Sequence, residues 1–307
     1  MLYVLGEAWW ALDAAGPLEK ADAFTPRLSG SAALLAEAFA ARGGPCALLS
    51  QLGDDPFGHR LAAALANAGV DISHLCFTPA ACTPLVFAGG GELLPCRSPS
   101  AELLYAPEQL PPHLFAPQDA LAFSSACLVD SPMRHAHLAA ITAAREARAI
   151  VSFDPNLRFP LWPDREMLRQ TVLQFAPLSH ILKISDEELE FLTGTADIDA
   201  ALPQLFTGDV QLVLYTCGSK GAHAYTRNAH GFAACQKVKA VDTTGAGDGF
   251  IGSFLWQLNR DGVTLDKLEK LSKKKLDEYL AFSNKFCGIS VQSNGAIDSY
   301  PTLEQMQ

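Results

Sequence analysis

Residues 241–250 read Val-Asp-Thr-Thr-Gly-Ala-Gly-Asp-Gly-Phe and combine glycines, an acid and the start of an apolar helix pattern. Phe250, Phe254 and Leu258 recur every four residues, which indicates a helix with one buried face. The first amides of such a helix lack internal partners and glycines let a ligand approach them, so an anion could bind here. With Asp248 in the first turn, this arrangement suits phosphoryl transfer to a hydroxyl group. An ordinary glycine turn capped by an acid is the alternative.

A second candidate is the run Asp154-Pro155-Asn156-Leu157-Arg158, directly after the apolar residues 150–153. Polar side chains that follow a buried strand leave one end of a sheet together, where α/β proteins bind their ligands. An arginine at that place could clamp phosphate oxygens. A turn in which Asp154 and Asn156 bond their own backbone is the alternative.

Two further stretches follow apolar runs in the same way. Residues 183–188 read Lys-Ile-Ser-Asp-Glu-Glu, and Ser185 with Glu188 has the spacing of a capping box at a helix start. Residues 216–221 read Thr-Cys-Gly-Ser-Lys-Gly. They lack the spacing of a P-loop and suit a turn that closes a hairpin into residues 222–225.

These stretches need a sheet to position them, and short apolar runs separated by helical patterns predict one. The strand candidates are residues 3–5, 47–50, 120–124, 150–153, 181–184 and 212–215. Continuous apolar strands of this kind are typical of a mostly parallel sheet with helices on both faces, so we predict an α/β fold. A dinucleotide-dependent oxidoreductase is disfavoured, because Gly6 is followed by Glu7-Ala8-Trp9-Trp10 and not by a G-x-G-x-x-G motif.

A small additional sheet is predicted from two segments. Residues 9–28 contain Gly16, Pro17 and Pro26 and favour short strands over a helix. Residues 83–97 read as a strand, a glycine turn and a strand. The two segments could pair into a sheet that stands off the main domain, and a surface hairpin without function is the alternative.

Composition limits the class of protein. The chain has 307 residues, 49% hydrophobic and 18% charged, with a formal net charge of −10. It can bury a full core, and its charge argues against a nucleic-acid partner or an anionic membrane surface. No signal peptide and no membrane span is recognised, so we expect a cytoplasmic protein. The eight cysteines lack a C-x-x-C pair, which favours buried reduced thiols over disulfides or metal ligands.

The run 242–250 resembles the C-terminal signature of the PfkB (ribokinase-like) carbohydrate kinases. Residues 52–58 are similar to the N-terminal signature, and residues 154–162 are similar to bacterial fructokinases and aminoimidazole riboside kinases. The resemblance implies one ribokinase-like kinase domain over residues 1–307, with a small β lid formed by about 9–28 and 83–97. It also implies ATP-dependent phosphorylation of a sugar hydroxymethyl group and a homodimer that forms through the lid.

Site residues follow from the resemblance position by position. Asp248 matches the catalytic base, and the amides of Gly245, Ala246 and Gly247 match the anion hole. Substrate-binding positions are matched by Gly30, Asn156, Arg158 and Asp248.

Ion and nucleotide sites are implied in the same way. Glu188 matches a residue that helps to hold Mg²⁺ through water, and Asp242 and Thr244 match positions near which related kinases often bind K⁺. Nucleotide-binding positions are matched by Lys183, Ser185, Thr216, Gly218, Gly221 and Asn284.

The N-terminal part departs from the family pattern. Ala11 stands where the family usually has a sugar-binding Asp, and Leu34 stands where it usually has a sugar-binding Asn. A pocket that binds hydroxyls loses discrimination without such groups. Three readings therefore stay open: a fructokinase-like enzyme, a kinase with a differently hydroxylated substrate, and a non-catalytic relative that binds sugar or nucleotide.

Overall fold

Strands and helices alternate along the chain, and the computed structural model describes residues 1–295 and 299–306. The strands are β1 Leu2–Leu5, β2 Trp9–Asp13, β3 Thr25–Ser29, β4 Cys46–Gly53, β5 Leu75–Thr78, β6 Leu85–Gly89, β7 Glu92–Cys96, β8 Ala120–Ser124, β9 Ile150–Asp154, β10 Ile181–Ser185, β11 Leu212–Thr216, β12 Ala222–Tyr225 and β13 His230–Ala233. The helices are α1 Ser31–Ala40, α2 Pro56–Asn67, α3 Pro132–Glu146, α4 Arg165–Phe175, α5 Asp186–Thr193, α6 Ile198–Leu205, α7 Ala246–Arg260, α8 Leu265–Leu268 and α9 Lys273–Ser290.

The central sheet has the order β13-β12-β11-β10-β9-β8-β1-β4-β5 in the described part of the chain. The pairs from β11 through to β5 are parallel, and β12 and β13 join as an antiparallel hairpin at one edge. The predicted α/β fold with a mostly parallel sheet is confirmed. Parallel strands bring their carboxyl ends to one edge, so the loops after β1, β9, β10 and β11 converge there.

Both faces of this sheet are buried, as alternate residues of β1 show. Leu2 and Val4 pack into the core under α1, α7 and α9, whereas Tyr3 and Leu5 pack into the core under α3 and α4. Successive side chains of a strand point to opposite faces, so a strand between two helix layers is apolar at most positions. This is the physical reason for the continuous apolar runs in the sequence.

Helices begin where capping residues allow them. Asp55 accepts a hydrogen bond from the Gly58 amide at 2.8 Å, with Pro56 opening α2. Ser131 accepts from the Arg134 amide at 3.4 Å, with a proline again at the first helical position. These side chains supply hydrogen-bond acceptors to first-turn amides that have no acceptor within the helix.

The second sheet is small and has the order β3-β2-β6-β7. Its outer pairs are antiparallel, and the inner pair of β2 and β6 is parallel. Its strands match the two segments in which the sequence predicts strands, except that β3 extends one residue further, to Ser29. We call these four strands the small sheet. β3 leads directly into α1 and so connects the small sheet to the main domain.

The cysteines differ in part from expectation. All eight are free, but only Cys46 and Cys127 are buried, while Cys82 and Cys96 are exposed. The expectation of burial was wrong for these two because Cys96 ends the edge strand β7 and Cys82 precedes β6. No helix among residues 1–295 and 299–306 has the length and apolar character needed to cross a membrane.

Candidate active site

Three polar side chains meet where the carboxyl end of β9 faces the first turns of α1 and α7. Oδ1 of Asp248 accepts hydrogen bonds from the Ser31 hydroxyl and from the Asn156 amide, the latter at 3.1 Å. The same Asn156 amide nitrogen also donates to Ser31 Oγ at 2.8 Å. Among the residues that the structure describes, Asp248 is therefore held through Oδ1, and Oδ2 accepts no hydrogen bond.

Asp248 is almost completely buried. Burial raises the pKa of Asp248, and this shift is opposed by the charge of Arg158, the hydrogen bonds from Ser31 and Asn156 and the charge of Lys183. A carboxylate whose proton affinity is raised in this way is better suited to accept a proton at neutral pH.

The start of α7 presents unpaired amides next to this carboxylate. Gly245 precedes the helix in a left-handed conformation, with φ of +75°, and its carbonyl accepts from the Tyr300 hydroxyl at 2.8 Å. The Ala246 amide donates to the Thr243 carbonyl at 3.1 Å. Within the described residues, the amides of Gly247 and Asp248 have no protein acceptor. Of the predicted anion-hole amides, that of Ala246 is thus used inside the turn, whereas that of Gly247 is open.

A buried ion pair lies beneath this turn. Lys183 Nζ lies 3.1 Å and 3.0 Å from the two carboxylate oxygens of Asp154. A Cβ placed on Gly247 would lie 3.3 Å from the same Nζ, so the ammonium directly underlies the helix start. Burial would lower the pKa of Lys183, but the carboxylates of Asp154 and Glu188 outweigh it and raise the value. For Asp154, burial raises the pKa and Lys183 opposes that shift.

Glu188 is engaged by two backbone amides. Oε2 accepts from the Ser185 amide at 2.9 Å, which is the Glu half of the capping box, and Oε1 accepts from the Leu157 amide at 2.9 Å. Glu188 therefore ties the end of β10 to the loop after β9, while its carboxylate keeps lone pairs for further donors. Within the described residues, no group of three or more His, Cys, Asp or Glu side chains could hold a metal ion by itself.

Ser31 and Glu7 form part of the site although the sequence did not single them out. The Ser31 amide donates to Oε1 of the fully buried Glu7 at 2.7 Å. Gly30 between β3 and α1 has φ of +106°, and a Cβ there would lie 2.6 Å from the Glu7 carbonyl oxygen. Only glycine fits this turn, and the turn aims the Ser31 hydroxyl at Asp248.

A cavity of about 150 Å³ opens above Asp248, between the main domain and the small sheet. Its polar lining includes Asp248, Arg158, Ser31 and Thr244. Its wall on the small sheet and α1 combines an apolar part with the polar side chains of Asp13, Arg27 and Ser29. The apolar part consists of Trp9, Ala11, Leu34, Val86, Ala88 and Leu93. Ala11 and Leu34, the two residues at which the sequence departs from the family pattern, both line this cavity.

Asp242 lies two residues before Thr244, which lines the cavity, and is paired with an arginine that also lines it. Arg27 Nη1 donates to Asp242 Oδ2 at 2.8 Å, and Arg27 Nε lies 2.9 Å from Asp13 Oδ2. The other oxygen of Asp242 accepts from the Thr244 amide at 2.8 Å. The arginine therefore bridges the small sheet and the loop that leads into α7.

The predicted nucleotide-binding residues other than Lys183 lie at and beyond the carboxyl ends of β10 and β11. Ser185 and Thr216 are paired neighbours at the ends of β10 and β11. Gly218 and Gly221 form the turn into β12, where the Cys217 amide donates to the Gly221 carbonyl at 2.8 Å. Asn284 on α9 donates to the Ala233 carbonyl at 2.7 Å and so closes the far side of this region.

Comparisons with known proteins match carbohydrate kinases over nearly the whole chain. The profile described as pfkB family carbohydrate kinase matches residues 2–303. Fructokinase-1 of Zea mays is 38% identical over 291 residues, which is 93% of this chain and 88% of the maize protein.

Solved structures give the same result. A fructokinase from Xylella fastidiosa with bound ATP superposes with a TM-score of 0.91 at 31% identity, covering 99% of this chain and 96% of that one. A double mutant of the fructokinase from Vibrio cholerae O395, in a form bound to fructose, ADP and potassium ion, has a TM-score of 0.89 at 29% identity, covering 99% and 96%.

Proposed function

The chain belongs to the pfkB family of carbohydrate kinases and is a sugar kinase, and we propose that it transfers a phosphoryl group from ATP to a hydroxymethyl group of fructose or a closely related sugar. The observation that carries this proposal is the position of Asp248. Its buried carboxylate lies beside the open amides of Gly247 and Asp248 and faces a cavity large enough for a small ligand.

Each group has a role in this reaction. Asp248 accepts the proton of the attacking hydroxymethyl group, and Ser31 and Asn156 fix its orientation. The open amides at the start of α7 face the negative charge of the transferring phosphoryl group. Arg158 lines the cavity on the same side and adds positive charge. The small sheet acts as a lid that keeps water, the competing acceptor, away from the phosphoryl group.

We assign the nucleotide to the edge formed by the ends of β10 and β11 and the turn at Gly218 and Gly221. A Mg²⁺ ion that accompanies the nucleotide would supply charge neutralisation, and Glu188 would hold it through water, because such ions use few protein carboxylates and retain several waters. The free lone pairs of Glu188 fit this role.

The residues that match the potassium positions offer a poorer fit. Oδ1 of Asp242 accepts from the Thr244 amide, and Oδ2 accepts from Arg27 and from the Gly295 amide at 3.2 Å. The carboxylate thus already has a cationic partner from its own chain.

We further propose that the enzyme is a homodimer that associates through the small sheet. Leu93 and Leu94 on β7 and Phe24 before β3 are exposed apolar side chains on this sheet, and β7 is its edge strand. Such residues are commonly covered by a partner. Light scattering of the wild-type chain and of Leu94→Glu tests this, because the proposal expects a dimer that the charge weakens.

A second candidate acceptor is a sugar with fewer hydroxyls than fructose. The apolar wall at Ala11 and Leu34 supports it, since neither side chain can hydrogen-bond a hydroxyl group. Such an acceptor would present a deoxygenated or apolar face to the small sheet.

ADP release with ATP and Mg²⁺ across fructose, other ketoses, aldoses and ribosides tests the proposal, with Asp248→Ala assayed in parallel. We expect turnover on one acceptor class and a loss of about 10²–10⁴-fold in the variant, as is usual for a general base. Exposed Asp266→Asn is the matched control and retains wild-type activity. Bound ATP without turnover on any acceptor in the panel would contradict the kinase proposal for these sugars and favour a non-catalytic role.

A further inference from the structure

Arg27 lies between two carboxylates. It lies on β3 of the small sheet, Asp13 lies on the neighbouring strand β2, and Asp242 belongs to the loop before α7. The guanidinium lies 2.9 Å from Asp13 Oδ2 through Nε and 2.8 Å from Asp242 Oδ2 through Nη1. All three side chains are half-buried. A planar guanidinium with several fixed donors is suited to bridging carboxylates in this way.

Asp242 shapes the loop that leads to the anion-binding amides. Its Oδ1 accepts from the Thr244 amide at 2.8 Å, and its Oδ2 accepts from the Gly295 amide at 3.2 Å in addition to Arg27. Burial alone would raise the pKa of Asp242, but the hydrogen bonds from Thr244, Gly295 and Arg27 outweigh it and hold the pKa at about 2. Asp242 is therefore negatively charged at neutral pH, and a nearby cation stabilises it.

We propose that the Arg27 guanidinium is a built-in counter-ion of Asp242 that replaces a bound potassium ion. It neutralises the loop before α7 and fastens the small sheet to that loop. A potassium ion at this carboxylate would be repelled by the guanidinium, whose Nη1 already lies 2.8 Å from Oδ2 and supplies the positive charge. The chain therefore reaches full activity and stability without a monovalent cation, unlike a site that leaves Asp242 open.

The charge balance of the site supports this assignment. Asp242, Asp248 and the transferring phosphoryl group are all negative, and an unpaired half-buried Asp242 would oppose anion binding at the start of α7. A tethered cation removes that repulsion at all salt compositions. Because Arg27 also pairs with Asp13, the position of the small sheet and the charge state of the loop are linked.

The test compares KCl with choline chloride at equal ionic strength, in wild type, Arg27→Ala and Arg27→Gln. Two quantities are measured: Tm without ligand, and ADP release with the best acceptor. We expect wild type to give the same Tm and rate in both salts. Each Arg27 variant should be slower by about tenfold in choline chloride, the size of effect expected from one uncompensated charge nearby, and KCl should restore its rate and raise its Tm.

Arg145→Ala is the matched control, because Arg145 forms an ion pair with Asp209 that lies away from the cavity. It should show no difference between the salts. Wild type that needs KCl for activity or is stabilised by it over choline chloride would overturn the proposal, and so would folded Arg27 variants that do not respond to KCl. The inference rests on the proposed function only for the rate measurement. If no sugar is turned over, the proposed function fails while the Tm comparison still decides the role of Arg27.

Discussion

Asn156 donates its side-chain amide to Oδ1 of Asp248 at 3.1 Å, from the loop after β9 to the first turn of α7. It does so from a left-handed backbone conformation, with φ of +42°. Asparagine tolerates this conformation better than most residues, so the same residue shapes the loop and orients the carboxylate.

Asn156→Gly and Asn156→Ala separate these two tasks. Both remove the hydrogen bond to Asp248, and we expect both to lower kcat by about tenfold because the base is less well oriented. Only the alanine variant places a Cβ in the left-handed region, which should lower its free energy of unfolding by about 1–2 kcal/mol relative to the glycine variant. Urea unfolding and steady-state kinetics measure the two effects. Unchanged kcat in the glycine variant would show that Asn156 does not orient Asp248.

The pH dependence of kcat/KM tests whether the hydrogen bond from the Ser31 hydroxyl lowers the pKa of Asp248. Asp248 must be ionised to accept a proton, and burial raises its pKa, so we expect the acidic limb of the wild-type profile above the ordinary range of aspartate. The hydrogen bond from Ser31 stabilises the ionised form and lowers the pKa of Asp248. Ser31→Ala removes it and should therefore shift the acidic limb to higher pH.

Ser31→Thr retains a hydroxyl and is the control for that experiment, with a limb close to wild type. A limb that stays in place or moves to lower pH in Ser31→Ala would mean that another group sets the profile. Both variants keep the backbone amide that donates to Glu7.

The buried pair of Lys183 and Asp154 predicts a stability effect that depends on pH. Lys183→Met leaves Asp154 without its cation, and breaking a buried pair in this way typically costs about 3–5 kcal/mol. Without Lys183, burial raises the pKa of Asp154 further above its unfolded value. The folded variant then binds a proton more tightly than the unfolded chain, so its stability is retained at low pH and lost as pH rises.

Urea unfolding at mildly acidic and mildly alkaline pH measures this loss. The matched variant combines Lys183→Met with Asp154→Asn, so that neither of these two positions is charged, and it should recover most of the free energy of unfolding at the higher pH. An equal loss at both pH values with no recovery would assign the effect to the packing of the lysine stem.

Much of the fold and part of the site follow from local sequence. Strands such as β1 and β8 carry continuous apolar runs because both sheet faces are covered, and this pattern is visible without a structure. The start of α7 is equally local, since the glycines, Asp248 and the apolar spacing lie within one short run. The family resemblance found there is confirmed over residues 2–303.

The contacts that orient the site are not local. Ser31 and Asp248 lie 217 positions apart, and Arg27 and Asp242 lie 215 positions apart. A serine at the start of α1 or an arginine in an edge strand is unremarkable by spacing and composition. Its partner is set by how the small sheet and the central sheet pack, and no local pattern encodes that. The glycine before Ser31 was the available signal, because it marks a tight turn beside the first strand.

Leu34→Asn tests which acceptor sugars the apolar part of the cavity wall favours. Leu34 is buried on α1 and lines the cavity, and an amide at that position could donate to a sugar hydroxyl. If the wall disfavours hydroxyl-rich sugars, the variant should raise kcat/KM for fructose by about five- to tenfold, the value of one hydrogen bond, and lower it for a deoxygenated acceptor. Leu34→Ala is the control: it enlarges the cavity without adding a donor and should not favour fructose. A wild-type enzyme that already prefers fructose, with no gain in Leu34→Asn, would show that recognition of the sugar hydroxyls comes from Arg158 and the other polar groups of the cavity.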